Sequence, residues 1–217
     1  FSDIVFWRDL GVTVLITVVT VVVELVLGLA LALVMHSAVK ATRGILRTAI
    51  LVPYGIITVV SAFAWFYAFD ITTGYVNNWL SWLPMIGPDF NWFGSAGPAL
   101  VVIMASEIWK TTPFISLLLL SGLAQVPGEL TEAARVDGAS AWQRLVRVVL
   151  PNMKAAIMVA VVFRALDAFR IFDNVFIMTQ GQYGTETLSL LAYRTSIGRL
   201  EIGLGSACLL YTSDAAD

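Results

Sequence analysis

Charge is scarce in this sequence. Asp, Glu, Lys and Arg make up 13% of its 217 residues, against about 25% in soluble globular proteins. The 59% of hydrophobic residues is gathered into long runs. That excludes a soluble domain with a rich core and indicates an integral membrane protein of the helical type. A basic face is missing as well: the formal net charge is −2, so nothing offsets a phosphate backbone and a nucleic-acid partner is excluded. Cysteine and histidine occur once each, as Cys208 and His36. A disulfide framework, a multi-ligand zinc site and c-type haem attachment are therefore excluded. No signal-peptide pattern is present. The chain opens on Phe1 rather than Met and reads as a fragment.

What is present is a set of apolar runs, which predict spans at about 10–35, 46–69, 97–123 and 153–178. At about 1.5 Å per residue, each is long enough for a hydrocarbon core of roughly 30 Å. Glu24 alone interrupts the first run, Pro53 sits near the start of the second, and Pro113 is expected to bend the third. A further span begins near 200, giving a membrane domain over 1–207. It stops abruptly: the segment 208–217, CLLYTSDAAD, reads as translated library-adapter sequence and is expected to be non-native.

Basic residues orient the spans. The loop after the first carries Lys40, Arg43 and Arg47, and the loop 124–152 with its flank carries Arg135, Arg144, Arg147 and Lys154. Between them, 70–96 has neither Lys nor Arg. The positive-inside rule puts the first and third loops in the cytoplasm and 70–96 outside. Trp79, Trp82 and Trp92 in the external loop suit a membrane interface.

The loop 124–152 is too ordered to be a spacer. After Pro127 and Gly128, residues 129–137 are strong helix formers with acids in the first turn, where the helix dipole favours them. Gly138 interrupts. Trp142, Leu145, Val146 and Val149 then fall at i, i+3, i+4 and i+7 with Arg144 and Arg147 off the stripe, which predicts a short interfacial amphipathic helix closed by Pro151. The small pair Ala133 and Ala134 would let another protein approach the backbone closely.

Glu132-Ala133-Ala134, three residues, Gly138, nine residues, then Val148-Val149-Leu150-Pro151 resembles the EAA motif of ABC importer permeases, E-A-A-x3-G-x9-I-x-L-P, with Val148 in place of the usual Ile. The strings EIWKTTPF at 107–114, FRALDAF at 163–169 and TETLS at 185–189, followed by Tyr193 and Arg194, are similar to the maltose-permease-like carbohydrate branch. ILVPYG at 50–55 and the stretch 167–176 look most like permeases of mycobacterial trehalose importers.

The resemblance implies an all-α polytopic helix bundle of the ABC importer permease type, in which six spans are usual; the first and most of the sixth would be missing here. It implies coupling to an ATPase through Glu132, Ala133, Ala134, Asp137, Gly138, Leu150 and Pro151. The implied partners are a second permease subunit, two cytoplasmic ATPase subunits that bind ATP and Mg, and an extracytoplasmic sugar-binding lipoprotein, all around a multi-pass chain in the lipid of a bacterial cell membrane. This chain would need no cofactor and hydrolyse nothing. The cargo implied is trehalose, with another oligosaccharide or glycerol 3-phosphate as alternatives. A membrane-embedded enzyme acting on lipid-linked sugars would need a Gly-rich phosphate loop, a His pair or an acidic cluster at a membrane face, and the sequence offers none of these.

Charges inside the spans pose the remaining question. Arg164, Asp167, Arg170 and Asp173 lie in the last run, and a charge at mid-membrane costs roughly 2.5–3.5 kcal/mol. Their i, i+3 spacing permits an intrahelical ion-pair ladder; the other reading is a polar lining on a substrate path. Asp167, Asn174, Arg164 and Tyr54 are the path candidates. Lys110 is a candidate counter-ion for Glu24, with Glu107 as its competitor. His36 reads as an exposed flank. Phe63, Trp65, Phe66, Tyr67 and Phe69 could stack on sugar rings or form an interfacial belt.

Overall fold

The computed structural model describes residues 4–38, 43–82, 87 and 89–207. Lys40 and the segment 208–217, Cys208 included, lie outside the described residues. In chain order the helices are α1 (Ile4–Ser37), α2 (Arg43–Gly55), α3 (Thr58–Phe69), α4 (Val76–Leu80), α5 (Ala96–Ala124), α6 (Gly128–Val136), α7 (Ala141–Asn152), α8 (Lys154–Phe169), α9 (Asp173–Met178) and α10 (Leu188–Tyr193). No strand occurs among the described residues. The protein is an all-α membrane bundle. α1 and α5 are each long and apolar enough to cross a membrane, and two broken helix pairs meet the same test when each is taken together.

Two of the expected spans are broken. α2 stops at Gly55 and α3 starts at Thr58, with Ile57 extended at φ −59° and ψ 135°. Pro53, lacking an N–H and crowding the carbonyl four residues back, falls in the last turn of α2. In the last run, α8 ends at Phe169 and helix resumes only at Asp173. Arg170 and Asp173 are thus not on one helix, and an i, i+3 ladder cannot continue through them. α5, by contrast, runs unbroken through Pro113.

The described chain forms two compact units. One comprises Val21–Gly55 and Thr111–Arg164. Its core is Ala32, Met35, Ile115, Leu119, Leu120, Leu123, Val149, Met153 and Ala160. Small residues set its helix spacing: a Cβ on Gly28 would lie 2.7 Å from Ile115 Cγ2, and one on Gly122 would collide with Ala156 Cβ. With no hydrophobic drive between helices in lipid, such close backbone approach supplies the packing energy.

The other unit takes the chain through Thr20, Ile56–Lys110 and the chain from Ala165. Ile16, Ala62, Trp92, Val102, Ile103, Ile171, Val175, Met178 and Leu190 fill its core. Its loop 70–96 is held by polar contacts. Trp92 Nε1 donates to Asn77 Oδ1 at 2.7 Å, and Asn77 Nδ2 donates to the Phe90 carbonyl at 3.0 Å. Asp70 accepts from the hydroxyls and amides of Thr72 and Thr73. Those bonds, the Thr72 hydroxyl first, hold its carboxyl down at a pKa of about 2.

Candidate functional site

The loop 124–152 is built as two helices joined by the four residues 137–140. No residue of α6 is buried in this chain. Glu132, Ala133, Asp137 and Gly138 are exposed, with Ala134 half-buried. Gly138 takes φ +79°, the left-handed region that favours glycine. The Ala139 amide donates to the Ala134 carbonyl at 2.9 Å and the Gly138 amide to the Arg135 carbonyl at 3.1 Å. This is a Schellman cap. It gives the spacing E-A-A-x3-G a geometric meaning, because the second alanine is the residue whose carbonyl closes the cap around the glycine.

The following helix begins at once. Ser140 Oγ accepts from the Gln143 amide at 3.3 Å, and the Ser140 amide donates to Gln143 Oε1 at 2.8 Å, forming a reciprocal capping box. Arg144 Nη1 donates to the Ala139 carbonyl at 2.8 Å. The joint is therefore hydrogen-bonded on both sides of Gly138, and α6 is carried at a set angle.

The expected apolar stripe of α7 is divided. Leu145–Val149 forms a π-helical turn, whose extra residue per turn shifts the register. Val149 is buried and Leu145 half-buried, whereas Trp142 and Val146 stay exposed. Leu150 is half-buried and Pro151 exposed. A cavity of about 520 Å³ lies against this loop, with His36, Trp142 and Arg144 among its lining residues.

The membrane interior holds polar groups that no hydropathy plot arranges. In one unit, Arg164 Nη2 donates to Glu24 Oε1 at 3.0 Å while Nε donates to Oε2, and Thr111 Oγ1 donates to Oε1 at 2.7 Å. Arg164 is 1% exposed and Glu24 0%. Arg164 is thereby withdrawn from the substrate-path candidates: its guanidinium is enclosed with the Glu24 carboxylate. Lys110 is not the counter-ion of Glu24, since its Nζ donates to Thr58 Oγ1 at 2.7 Å.

In the other unit, Asn174 Nδ2 donates to Glu107 Oε2 at 2.6 Å. Asn174 is buried and its Oδ1 has no partner. Asp167 is exposed two residues before the end of α8. In the first unit, Tyr54 is half-exposed and stacks on Phe114 with ring centroids 5.2 Å apart. The sequence brings forward Asn174, Asp167 and Tyr54 but misses the Glu24–Arg164 pair; the available signal was two charges on different apolar runs, each needing an opposite sign.

Comparison with known proteins identifies the family. The family model described as "Binding-protein-dependent transport system inner membrane component" matches residues 24–211. The trehalose transport system permease protein SugA of Mycobacterium tuberculosis is 50% identical over 205 residues, 94% of this chain and 64% of the relative. The chain thus spans under two thirds of the length of that relative. The trehalose/maltose transport system permease protein MalF of Thermococcus litoralis is 38% identical over 210 residues, 95% of this chain and 70% of the relative. Among solved structures, a bacterial ABC transporter involved in the import of the acidic polysaccharide alginate superposes with a TM-score of 0.87 at 24% identity, covering 100% of this chain and 76% of that one. At that identity the match speaks for the fold. With an all-α membrane bundle, a Schellman-capped EAA loop and a family match over most of its length, the chain belongs to the inner membrane components of binding-protein-dependent transport systems.

Proposed function

We propose that the full-length protein is the permease subunit of an ATP-driven ABC importer for a neutral disaccharide, trehalose. The observation that carries the transport reading is α6: a short helix with no buried residue, presented on a hydrogen-bonded joint in the cytoplasmic loop. Such a helix needs a partner surface. An ATPase subunit would receive it, with Glu132, Ala133, Ala134 and Asp137 in contact and Gly138, Leu150 and Pro151 setting its aim. ATP and Mg would bind in the ATPases. Their closure would draw this loop and that of a second permease together and turn the substrate path outward, where a sugar-binding lipoprotein releases its cargo. The chain contributes a coupling free energy and no bond-making chemistry.

The cargo reading rests on the names of the two relatives, one a trehalose and the other a trehalose/maltose permease, and on the electrostatics of the interior. Arg164 is neutralised by Glu24, which removes one of the two span arginines, Arg164 and Arg170, that could greet a phosphate and so supports trehalose over glycerol 3-phosphate. The Asn174 Oδ1, the Asp167 carboxylate and the Tyr54 ring are the groups proposed to meet sugar hydroxyls and C–H faces. Uptake of labelled trehalose by vesicles carrying the complete transporter tests the cargo. Saturable uptake competed by unlabelled trehalose but not by glycerol 3-phosphate is expected; transport of glycerol 3-phosphate or maltose without trehalose would refute it.

A further inference from the structure

A second cavity, of about 450 Å³, lies within the unit that carries the external loop. That volume is within the range of small-molecule sites. Its walls are aromatic: Trp65 and Phe69 from α3, Tyr75 and Trp79 at α4, and Trp109 from α5. The rings are organised against one another. Trp65 stacks on Phe69 at 5.6 Å with planes 7° apart, Trp109 tilts against Trp65 at 6.1 Å, and Tyr75 packs on Trp79 at 5.0 Å. Ser61, Ala64 and Ala68, on one face of α3, line it with small side chains that leave room between the rings.

Ser61 is the unusual member. It is 2% exposed, and its hydroxyl has no hydrogen-bond partner. Buried hydroxyls at Ser106, Ser116 and Thr179 return to a carbonyl of the preceding turn, at Ile103, Pro113 and Val175; Thr17, which does not line the cavity, is the other buried hydroxyl without a partner among the described residues. A buried hydroxyl left unpaired carries a desolvation penalty that a bound partner would relieve. No charged side chain lines the cavity, so the ligand it fits is neutral. It needs C–H faces for flat rings and at least one hydroxyl for Ser61. A pyranose has both, whereas a lipid acyl chain has nothing to offer the hydroxyl.

We infer that this cavity is an outer sugar subsite, where a pyranose ring stacks against the Trp and Tyr rings and bonds Ser61 on its way between the outside and the interior path. The inference rests on the transport reading above. Its test is initial-rate uptake of labelled trehalose by proteoliposomes holding the full-length permease, its partners and the binding protein. Ser61→Ala is expected to raise the half-saturating sugar concentration about fivefold, the worth of one neutral hydrogen bond. Trp79→Ala, at a ring 73% exposed whose loss leaves the core intact, is expected to raise it about tenfold. Maximal rate should stay within about twofold for both. A purely structural Ser61 would instead leave half-saturation unmoved and become more stable as Ala. Saturable uptake by the unsubstituted complex with half-saturation unchanged in both variants overturns the subsite and spares the transport reading. The same result with bound phospholipid lost from Trp79→Ala assigns the cavity to an acyl chain and also overturns it. No saturable trehalose uptake by the unsubstituted complex defeats the sugar-transport reading itself.

Discussion

Glu24 and Arg164, 140 residues apart in sequence, form a bidentate ion pair buried inside the chain, with the Thr111 hydroxyl donating to the same carboxylate. Three helices, α1, α5 and α8, are tied at this point. Two charges that would each be costly facing lipid satisfy one another and the groups around them.

Breaking the pair from one side should be worse than removing it. Glu24→Leu or Arg164→Met alone leaves an uncompensated buried charge and is expected to cost about 3–5 kcal/mol, seen as lost assembly or a lowered unfolding temperature in detergent. The double substitution should recover much of that loss. A single variant as stable as the parent protein would show that the pair is dispensable.

At Gly138 the constraint is backbone rather than space. A Cβ there meets nothing within 4 Å, yet φ is +79°. Gly138→Asn, which tolerates this region, should retain substantial coupled uptake, whereas Gly138→Val should abolish it while the protein still inserts and assembles. Equal behaviour of the two variants would detach the Schellman cap from coupling.

Asp167 is exposed near the end of α8. If Asp167 lines the substrate path, Asp167→Asn should assemble normally and yet reduce sugar uptake. A large loss of stability with transport intact in the surviving fraction would place Asp167 in a structural role.

Asp70 supplies a pH signature for the loop 70–96. Its carboxyl, ordinarily near 3.8, is held at about 2 by Thr72 and Thr73. A depressed folded-state value means that its stabilising contribution is complete above about pH 4 and is lost as pH falls toward 2. The difference in unfolding temperature between the parent protein and Asp70→Ala should accordingly shrink over that window. A difference that does not change with pH would remove the ionised carboxylate from the explanation.

The legible part of this molecule is what hydropathy and local pattern determine. The helical membrane class follows from apolar runs, and Gly138 announces itself because glycine sits between two helix-forming stretches. Broken helices are harder to read. Around Gly55–Thr58 the run is apolar throughout, so only Pro53 hints that α2 must stop. The π-helical turn at Leu145–Val149 has no signature in a 3.6-residue period, and it is what separates Trp142 and Val146 from Leu145 and Val149. The choice of Arg164 for Glu24, over Lys110, depends on which helix faces meet, and nothing within either run encodes that.

The central claim is that α6 couples ATP hydrolysis by a partner to movement of sugar across the membrane. Its most direct measurement is accumulation of labelled trehalose in proteoliposomes reconstituted with the full-length permease, its partner subunits and the sugar-loaded binding protein, with ATP supplied on the cytoplasmic side. Uptake against a gradient is expected, with ATP consumed in step, and Glu132→Lys should abolish both without loss of the assembled complex. Undiminished uptake and hydrolysis in a fully assembled Glu132→Lys complex would contradict the claim.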